Sequence, residues 1–539
     1  MKKTTSVWQK FSRVTALLLA VLSAFVMLAP QTGLEAHAAG KGGSVAVNAA
    51  MIQGANVVVT ATGAAASDDG IYHLYAQQPF ESGAQGTEVA QAPAGAAAAF
   101  TFALGKNTGN SNLFKKFTVV AIRGGVPTQV SNACYITNPE AAATHTAARR
   151  DHGKKGILPA ATMLNTKDLT TLGIKQVTYN VPIGDMCNGG GVNYTYNGKQ
   201  YSFNKNIVGQ YDLLVPKFNS MGIQVTLILL NNLTGNLSMI HPLSRNVQAG
   251  ALQHYYAFNT AEQVGVDKLE ALASFLGQRY SSNGHGTVDN WIIGNEVNAR
   301  ADWNYMSAVD VNTFANEYAK AVRIFYNGLK SENGNAKVYI SIDQQWSQSS
   351  NPALYYGSRD FLNAYNSIVS AEGNFGWDVA IHPYDVPLYN PMAWAPTGLC
   401  THSQASRYVS MQNIDVLTDY LSQKALLSPN GQVKSVMCSE VGYTSLSTGG
   451  DAVQAAAIAY GYTQAAMNQH IDGFILSREL DDAGEIGQGL ANGIINLNGS
   501  HKLGYEYYAN IDGANAAAYQ AAAAQTIGTP NLMSLMTVR

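Results

Sequence analysis

From residue 175 to the end of the chain, short apolar runs alternate with amphipathic ones, and this rhythm restricts the fold more than any other feature. Eight segments read as strands: "KQVTYNVP" (175–182), "IQVTLILL" (223–230), "HYYAFNT" (254–260), "NWIIGNE" (290–296), "KVYISID" (337–343), "WDVAIHPY" (377–384), "KSVMCSE" (434–440) and "DGFILSRE" (472–479). Helix-like stretches separate them. In "VDKLEALASFL", Val266, Leu269, Leu272, Phe275 and Leu276 recur at spacings of three and four, so one face packs inward. Eight buried strands alternating with amphipathic helices point to a (β/α)8 TIM barrel. The competing open, doubly wound sheet lacks support, because no Gly-x-Gly-x-x-Gly turn follows the first of these strands.

The preceding hundred residues follow a different period. "SVAVNAA", "NVVVTAT", "GIYHLYAQ", "AAFTFAL", "KKFTVVAIRGG" and "TQVSNACYI" alternate every second residue between Gly, Asn and Asp clusters. This predicts a small all-β, immunoglobulin-like sandwich over 40–139. The small, polar stretch "NPEAAATHTAARRDHG" supplies a linker over 140–153, and the barrel takes 154–539. At the N-terminus, Lys2, Lys3, Lys10 and Arg13 precede an apolar run and an Ala-x-Ala site, Ala36 to Ala38. Residues 1–39 therefore read as a secretory signal peptide, with a retained membrane anchor as the alternative.

With 33 Lys and Arg against 35 Asp and Glu, no strong field favours nucleic acid or an anionic membrane, and no later stretch is apolar enough to span a bilayer. A neutral partner fits such a surface. Four cysteines without Cys-x-x-Cys spacing make no disulfide scaffold, although a Cys187 to Cys400 bridge stays open. No cofactor motif occurs, and no metal site is expected: "ELDDAGE" (479–485) reads as a solvated loop rather than a calcium loop, and the strand at 175–182 carries no His-x-His.

Reacting groups of such a barrel sit where its strands end. Those positions hold Asn180, Asn231, Asn295 with Glu296, Asp343 near Trp346, His382 with Tyr384, Glu440, and Arg478. "IIGNEVN" and "VMCSEVGY" share one design, an apolar strand stopping on a small polar residue and a Glu. Counted as fourth and seventh strands, they let Glu296 and Glu440 face each other across the mouth. Two carboxylates flanking one bond are what glycoside hydrolysis uses.

These residues resemble clan A of the retaining glycoside hydrolases. The resemblance implies Glu296 as general acid/base, Glu440 as nucleophile and Asn295 as donor to the sugar 2-hydroxyl. "IHPY" is similar to the clan's His-x-Tyr, whose Tyr, here Tyr384, would hydrogen-bond the nucleophile. "GIINLNGSHKLGYEYY" is similar to its closing pattern. As a whole the chain resembles secreted bacterial proteins grouped as a domain of unknown function within that superfamily. One departure stands out: the clan's eighth strand usually ends on a Trp that floors the sugar site, whereas "FILSRELDD" offers Arg478. That exchange suggests an unusual or acidic sugar. The expected partner is a carbohydrate substrate at Glu296, Glu440, Asn180, Asn231, Asn295, Trp346, His382, Tyr384 and Arg478. A barrel that binds glycans without cleaving them is the alternative.

Overall fold

The computed structural model describes residues 44–150, 153–246 and 252–539; the leader read over 1–39 lies outside the described residues. Eight parallel strands close into a barrel: β1 (Lys155–Ile157), β2 (Gln176–Pro182), β3 (Gln224–Leu230), β4 (Asn290–Ile293), β5 (Lys337–Asp343), β6 (Trp377–His382), β7 (Val436–Val441) and β8 (Ile471–Leu476), with β8 pairing back to β1. Each is followed by a helix: α1 (Asp168–Thr171), α2 (Lys205–Ser220), α3 (Gln263–Arg279), α4 (Val311–Lys330), α5 (Ser358–Ala371), α6 (Asp415–Leu421), α7 (Gly450–Ala466) and α8 (Leu503–Asn510). This is a (β/α)8 TIM barrel.

Ile228, Leu230, Ile292, Tyr339, Ala380, Met437 and Ile475, drawn from β3 to β8, form one cluster that fills the barrel's interior. The opposite strand faces join the helices in the larger core, which explains why β3 is buried at all seven positions and reads as a continuous apolar run. Helix boundaries follow local chemistry. Asp310 caps α4, its side chain accepting from the backbone N–H groups of Asn312 and Thr313 at 2.9 and 3.1 Å.

One of the expected strands is corrected, and one that was not expected takes its place. Residues 254–260 form no barrel strand; their backbone makes isolated bridges, Tyr256 to Tyr305 and Phe258 to Ile240. Residues 256–260 are buried without a break, and this contiguous burial imitates that of a barrel strand. The barrel's first strand is instead β1, three residues long. Gly156 is its centre, and a Cβ there would meet Ile475 Cδ1 at 2.3 Å, so the strand carries little apolar signal where the barrel is tightest. Losing one strand and gaining an earlier one leaves β4 fourth and β7 seventh.

Residues 45–135 form two antiparallel sheets. One orders Val45–Gln53, Asn56–Gly63 and Ala97–Ala103; the other orders Thr87–Pro93, Ile71–Gln77, Lys116–Arg123 and Val126–Gln129, with Cys134–Tyr135 also on Lys116–Arg123. They lean on α4 and on the turns after α4 and α5: Asn327 donates to the Leu113 carbonyl at 2.8 Å, Lys106 pairs with Glu332 at 3.0 Å, and the Tyr135 N–H donates to the Glu372 carbonyl at 2.9 Å. The connecting segment is pinned as well. Arg149 donates to the Asp289 carbonyl and to Asn290 Oδ1 at 2.7 and 2.6 Å, and Arg150 pairs with Asp289 at 3.0 Å, both at the N-terminal end of the barrel. All four cysteines are free, so the Cys187 to Cys400 bridge is not formed. No helix among the described residues is long and apolar enough to cross a membrane.

Candidate active site

β4 ends on Ile293, and the chain turns at once. Gly294 and Glu296 both take left-handed backbone, with φ of 78° and 38°. A Cβ at Gly294 would strike Val297 Cγ1 at 2.8 Å, so the turn needs glycine there. Glu296 holds its unusual angle because β5 fixes the turn from alongside. Its N–H donates to Ser341 Oγ at 2.9 Å, the Val297 N–H donates to the Ser341 carbonyl at 3.0 Å, and Asn298 Nδ2 donates to Asp343 Oδ1 at 2.6 Å. A non-glycine residue in such a conformation persists only where its surroundings over-determine it. The carboxylate is thereby aimed rather than left to sample rotamers.

That carboxylate meets His382, the last residue of β6: Nδ1 lies 2.7 Å from Glu296 Oε1. The same nitrogen lies 3.7 Å from Glu440 Oε2, at the end of β7. Tyr384 OH donates to Glu440 Oε2 at 3.2 Å. His382 is the one cation within ion-pair reach of either glutamate among the described residues. Burial disfavours its charge, but Glu440 and then the hydrogen bond and charge of Glu296 outweigh burial and push its pKa up to about 9. It is an imidazolium between two carboxylates. Asp343, behind Glu296, is pushed up to about 7 by burial and then by the Glu296 charge. Burial and then Glu440 also raise the Tyr384 phenol well above its ordinary value, so it remains a donor.

The other expected residues divide. Asn295 is buried and Asn180 is exposed on β2, level with the interior residue Ile228; neither carboxamide has a hydrogen bond within the protein among the described residues. Both keep donors for a guest. Asn231 instead gives its amide hydrogens to the Met239 and Ala257 carbonyls at 2.9 and 3.1 Å, and so ties down the loop after β3. Trp346 is wholly buried, with its ring edge-on to Tyr420 and its N–H on the Gln404 carbonyl at 3.2 Å. It packs the core and offers no face to the mouth. Arg478 is half-buried and paired with Glu485 at 2.5 Å.

Sequence reasoning passed over three residues. Ser341 carries no signal except its inward position in the alternation of β5. Glu485 lay in the loop read as merely solvated. Tyr255 was hidden by the strand assigned to 254–260; it packs on the interior cluster, and its phenol is raised by burial and then by the charge of Glu440. Trp303 lies against it, ring centroids 5.8 Å apart, and stacks on exposed His254 at 4.3 Å. Among the described residues, no three His, Cys, Asp or Glu side chains are grouped to hold a metal ion.

The site thus holds two carboxylates on facing sides of a mouth, bridged by one imidazolium, with a tyrosine on one of them and the unengaged amide of Asn295 preceding the other in the chain. A family described only as being of unknown function, DUF5722, matches residues 147–535. No curated protein matches. Among solved structures, a family 39 glycoside hydrolase from Bacteroides cellulosilyticus WH2 is 14% identical over 82% of this chain and 77% of its own, with a TM-score of 0.46. A fungal beta-1,4-galactanase is 12% identical over 67% of this chain and 100% of its own, at 0.42. A family 1 beta-glucosidase from Thermotoga maritima is 13% identical over 65% and 86%, at 0.38. Likeness at that level says nothing of what this chain acts on.

Proposed function

The chain belongs to that family of unknown function, DUF5722, and from this premise we propose that its barrel is a retaining glycoside hydrolase. The observation that supports the reading is the shared contact of His382 Nδ1 with both glutamates. Contacts of 2.7 and 3.7 Å through one atom cap the separation of the two oxygens at about 6.4 Å. Retaining enzymes hold their carboxyl groups about 5–5.5 Å apart, and inverting ones roughly 6.5–9.5 Å, to admit a water; the bound keeps this pair of oxygens below the inverting range.

In this reading Glu440 attacks the anomeric carbon while the bond to the leaving oxygen breaks, and Glu296 passes to that oxygen a proton drawn from the His382 imidazolium, whose Nδ1 lies 2.7 Å from Glu296 Oε1. Water then attacks the glycosyl–Glu440 ester, Glu296 takes the water's proton, and the sugar leaves with its original configuration. Tyr384 orients the Glu440 oxygen, and Asn295 donates to a sugar hydroxyl beside it. His382 keeps two negative groups together in a buried mouth. Secretion through the leader at 1–39 and an immunoglobulin-like character for the two sheets belong to the same proposal.

The test pairs two variants. Glu440→Gln removes nearly all turnover of every glycoside. Glu296→Gln still releases a good leaving group such as dinitrophenol and stalls on the ester, and azide restarts it with retained configuration. Both variants keeping native activity, or an inverted native product, overturns the reading; native protein that binds glycans without any turnover replaces it with a glycan-binding barrel.

A further inference from the structure

The wall of the mouth beside Glu440 is built by the loop after β8. Arg478 Nη2 lies 2.5 Å from Glu485 Oε1, and Nη1 lies 3.5 Å from Asp482 Oδ2. Asp482 is itself fixed, its Oδ1 accepting from the N–H groups of Gly484 and Glu485 at 2.9 and 3.1 Å. Arg478 and Glu485 each keep more than a quarter of their side chains open, 29% and 28%. The Ser477 N–H donates to the Val441 carbonyl at 2.8 Å, so Arg478 leaves β8 beside the residue that follows Glu440; burial raises the Glu485 carboxyl, Arg478 lowers it, and the charges of Asp482 and Glu440 raise it again. Tyr384 feels Glu485 as well as Glu440.

We propose that Arg478 and Glu485 act together as one donor and acceptor pair for two neighbouring hydroxyls of an uncharged sugar ring, and that the site rejects a uronate. The inference rests on the hydrolase reading only for the position of Glu440. A planar guanidinium beside a carboxylate presents N–H groups next to an acceptor oxygen, the complement of a vicinal diol. An isolated Arg at this place would suit an acidic sugar, as the sequence alone suggested. Here its charge is already matched by Glu485 and approached by Asp482, and Glu440 lies beside them. A ring carboxylate would have to displace Glu485 from Arg478 and settle among like charges, each such contact unfavourable in a partly desolvated cleft.

Sulfur-linked, hydrolysis-resistant disaccharides in matched pairs test this without turnover: glucose against glucuronate, galactose against galacturonate, mannose against mannuronate. Calorimetry on the full chain is expected to show at least one neutral member binding at least tenfold tighter than its uronate. Glu485→Gln frees Arg478, so that preference should fall at least tenfold. Arg478→Gln should weaken the neutral ligand without favouring the uronate. Tighter uronate binding by the native protein, an unchanged preference in Glu485→Gln, or no binding of any neutral member overturns the proposal. Because the readout is affinity, these outcomes are separate from failure of the hydrolase reading, which shows as intact turnover in Glu440→Gln.

Discussion

Replacing His382 by Gln removes the charge between the two glutamates while keeping an amide able to donate to Glu296. The folded protein holds this imidazole's pKa at about 9, against an ordinary value of 6.5. At about 1.4 kcal/mol for each tenfold change, that corresponds to roughly 3 kcal/mol favouring the charged form. His382 is 1% exposed, so solvent screening removes little of it. Because the folded pKa is the higher one, the stabilisation is fully present below pH ~6.5 and is lost as pH rises through about 9. Urea unfolding of the full chain, native and His382→Gln, should therefore show a gap in midpoint that is wide at pH 6 and nearly closed at pH 10. Taking the difference cancels the titrating groups away from the mouth, while Glu440, Glu296 and Asp343, which interact with His382, respond to its loss and belong to the gap. A gap that stays constant across that range would mean that His382 is neutral and holds Glu296 by an ordinary hydrogen bond, and the electrostatic account of the mouth would fail.

Tyr384→Phe deletes the 3.2 Å hydrogen bond to Glu440; kcat/KM on an aryl glycoside should drop by about tenfold or more, matching a charge-assisted bond of ~1.5–3 kcal/mol, with the thermal midpoint little changed. Ser341→Ala leaves the Glu296 N–H without its acceptor and should lower both stability, by about 1–3 kcal/mol, and turnover, as read by melting and initial rates. Glu270, buried on α3, has its carboxyl pushed up to about 7 by burial. A raised folded pKa means that its contribution is lost as pH rises from ~4.3 through about 7, so Glu270→Gln should flatten the fall in melting temperature between pH 5 and 8. A chain beginning at Asp151 loses Arg149, Arg150 and the antiparallel sheets; it should keep turnover but melt earlier than the full chain, and a rise in the melting point would contradict the packing of that segment.

The barrel was legible because burial on both faces writes β3, β5 and β6 as apolar runs, and amphipathic helices separate them. β1 was not, since a three-residue strand centred on Gly156 has no periodicity to read. Residues 254–260 misled for the opposite reason: a loop buried without a break over 256–260 has the same run of buried residues as a barrel strand. Glu296, Glu440, His382 and Tyr384 were legible because strand ends converge in any such barrel. What the sequence could not distinguish was a strand-end residue with free donors from one engaged by its own loop. Asn180 and Asn231 look alike in the sequence, yet only Asn231 is drawn back onto the Met239 and Ala257 carbonyls. Trp346 follows β5 by three residues and is turned into the core by α6, through Tyr420. The partner of Arg478 lies seven residues on, and nothing in its spacing marks Glu485 as that partner.

The central claim is that Glu440 becomes covalently bonded to the sugar, and mass spectrometry tests it most directly. The full chain is incubated with a panel of 2-deoxy-2-fluoro glycosides carrying dinitrophenol, whose fluorine slows both formation and hydrolysis of the ester while the good leaving group restores formation alone, so that the ester accumulates. The account predicts that one sugar of the panel adds a single fluoroglycosyl mass, that the label maps to the peptide bearing Glu440, and that Glu440→Gln takes up none. Label on any other residue, or equal labelling of the Glu440→Gln variant, would contradict it.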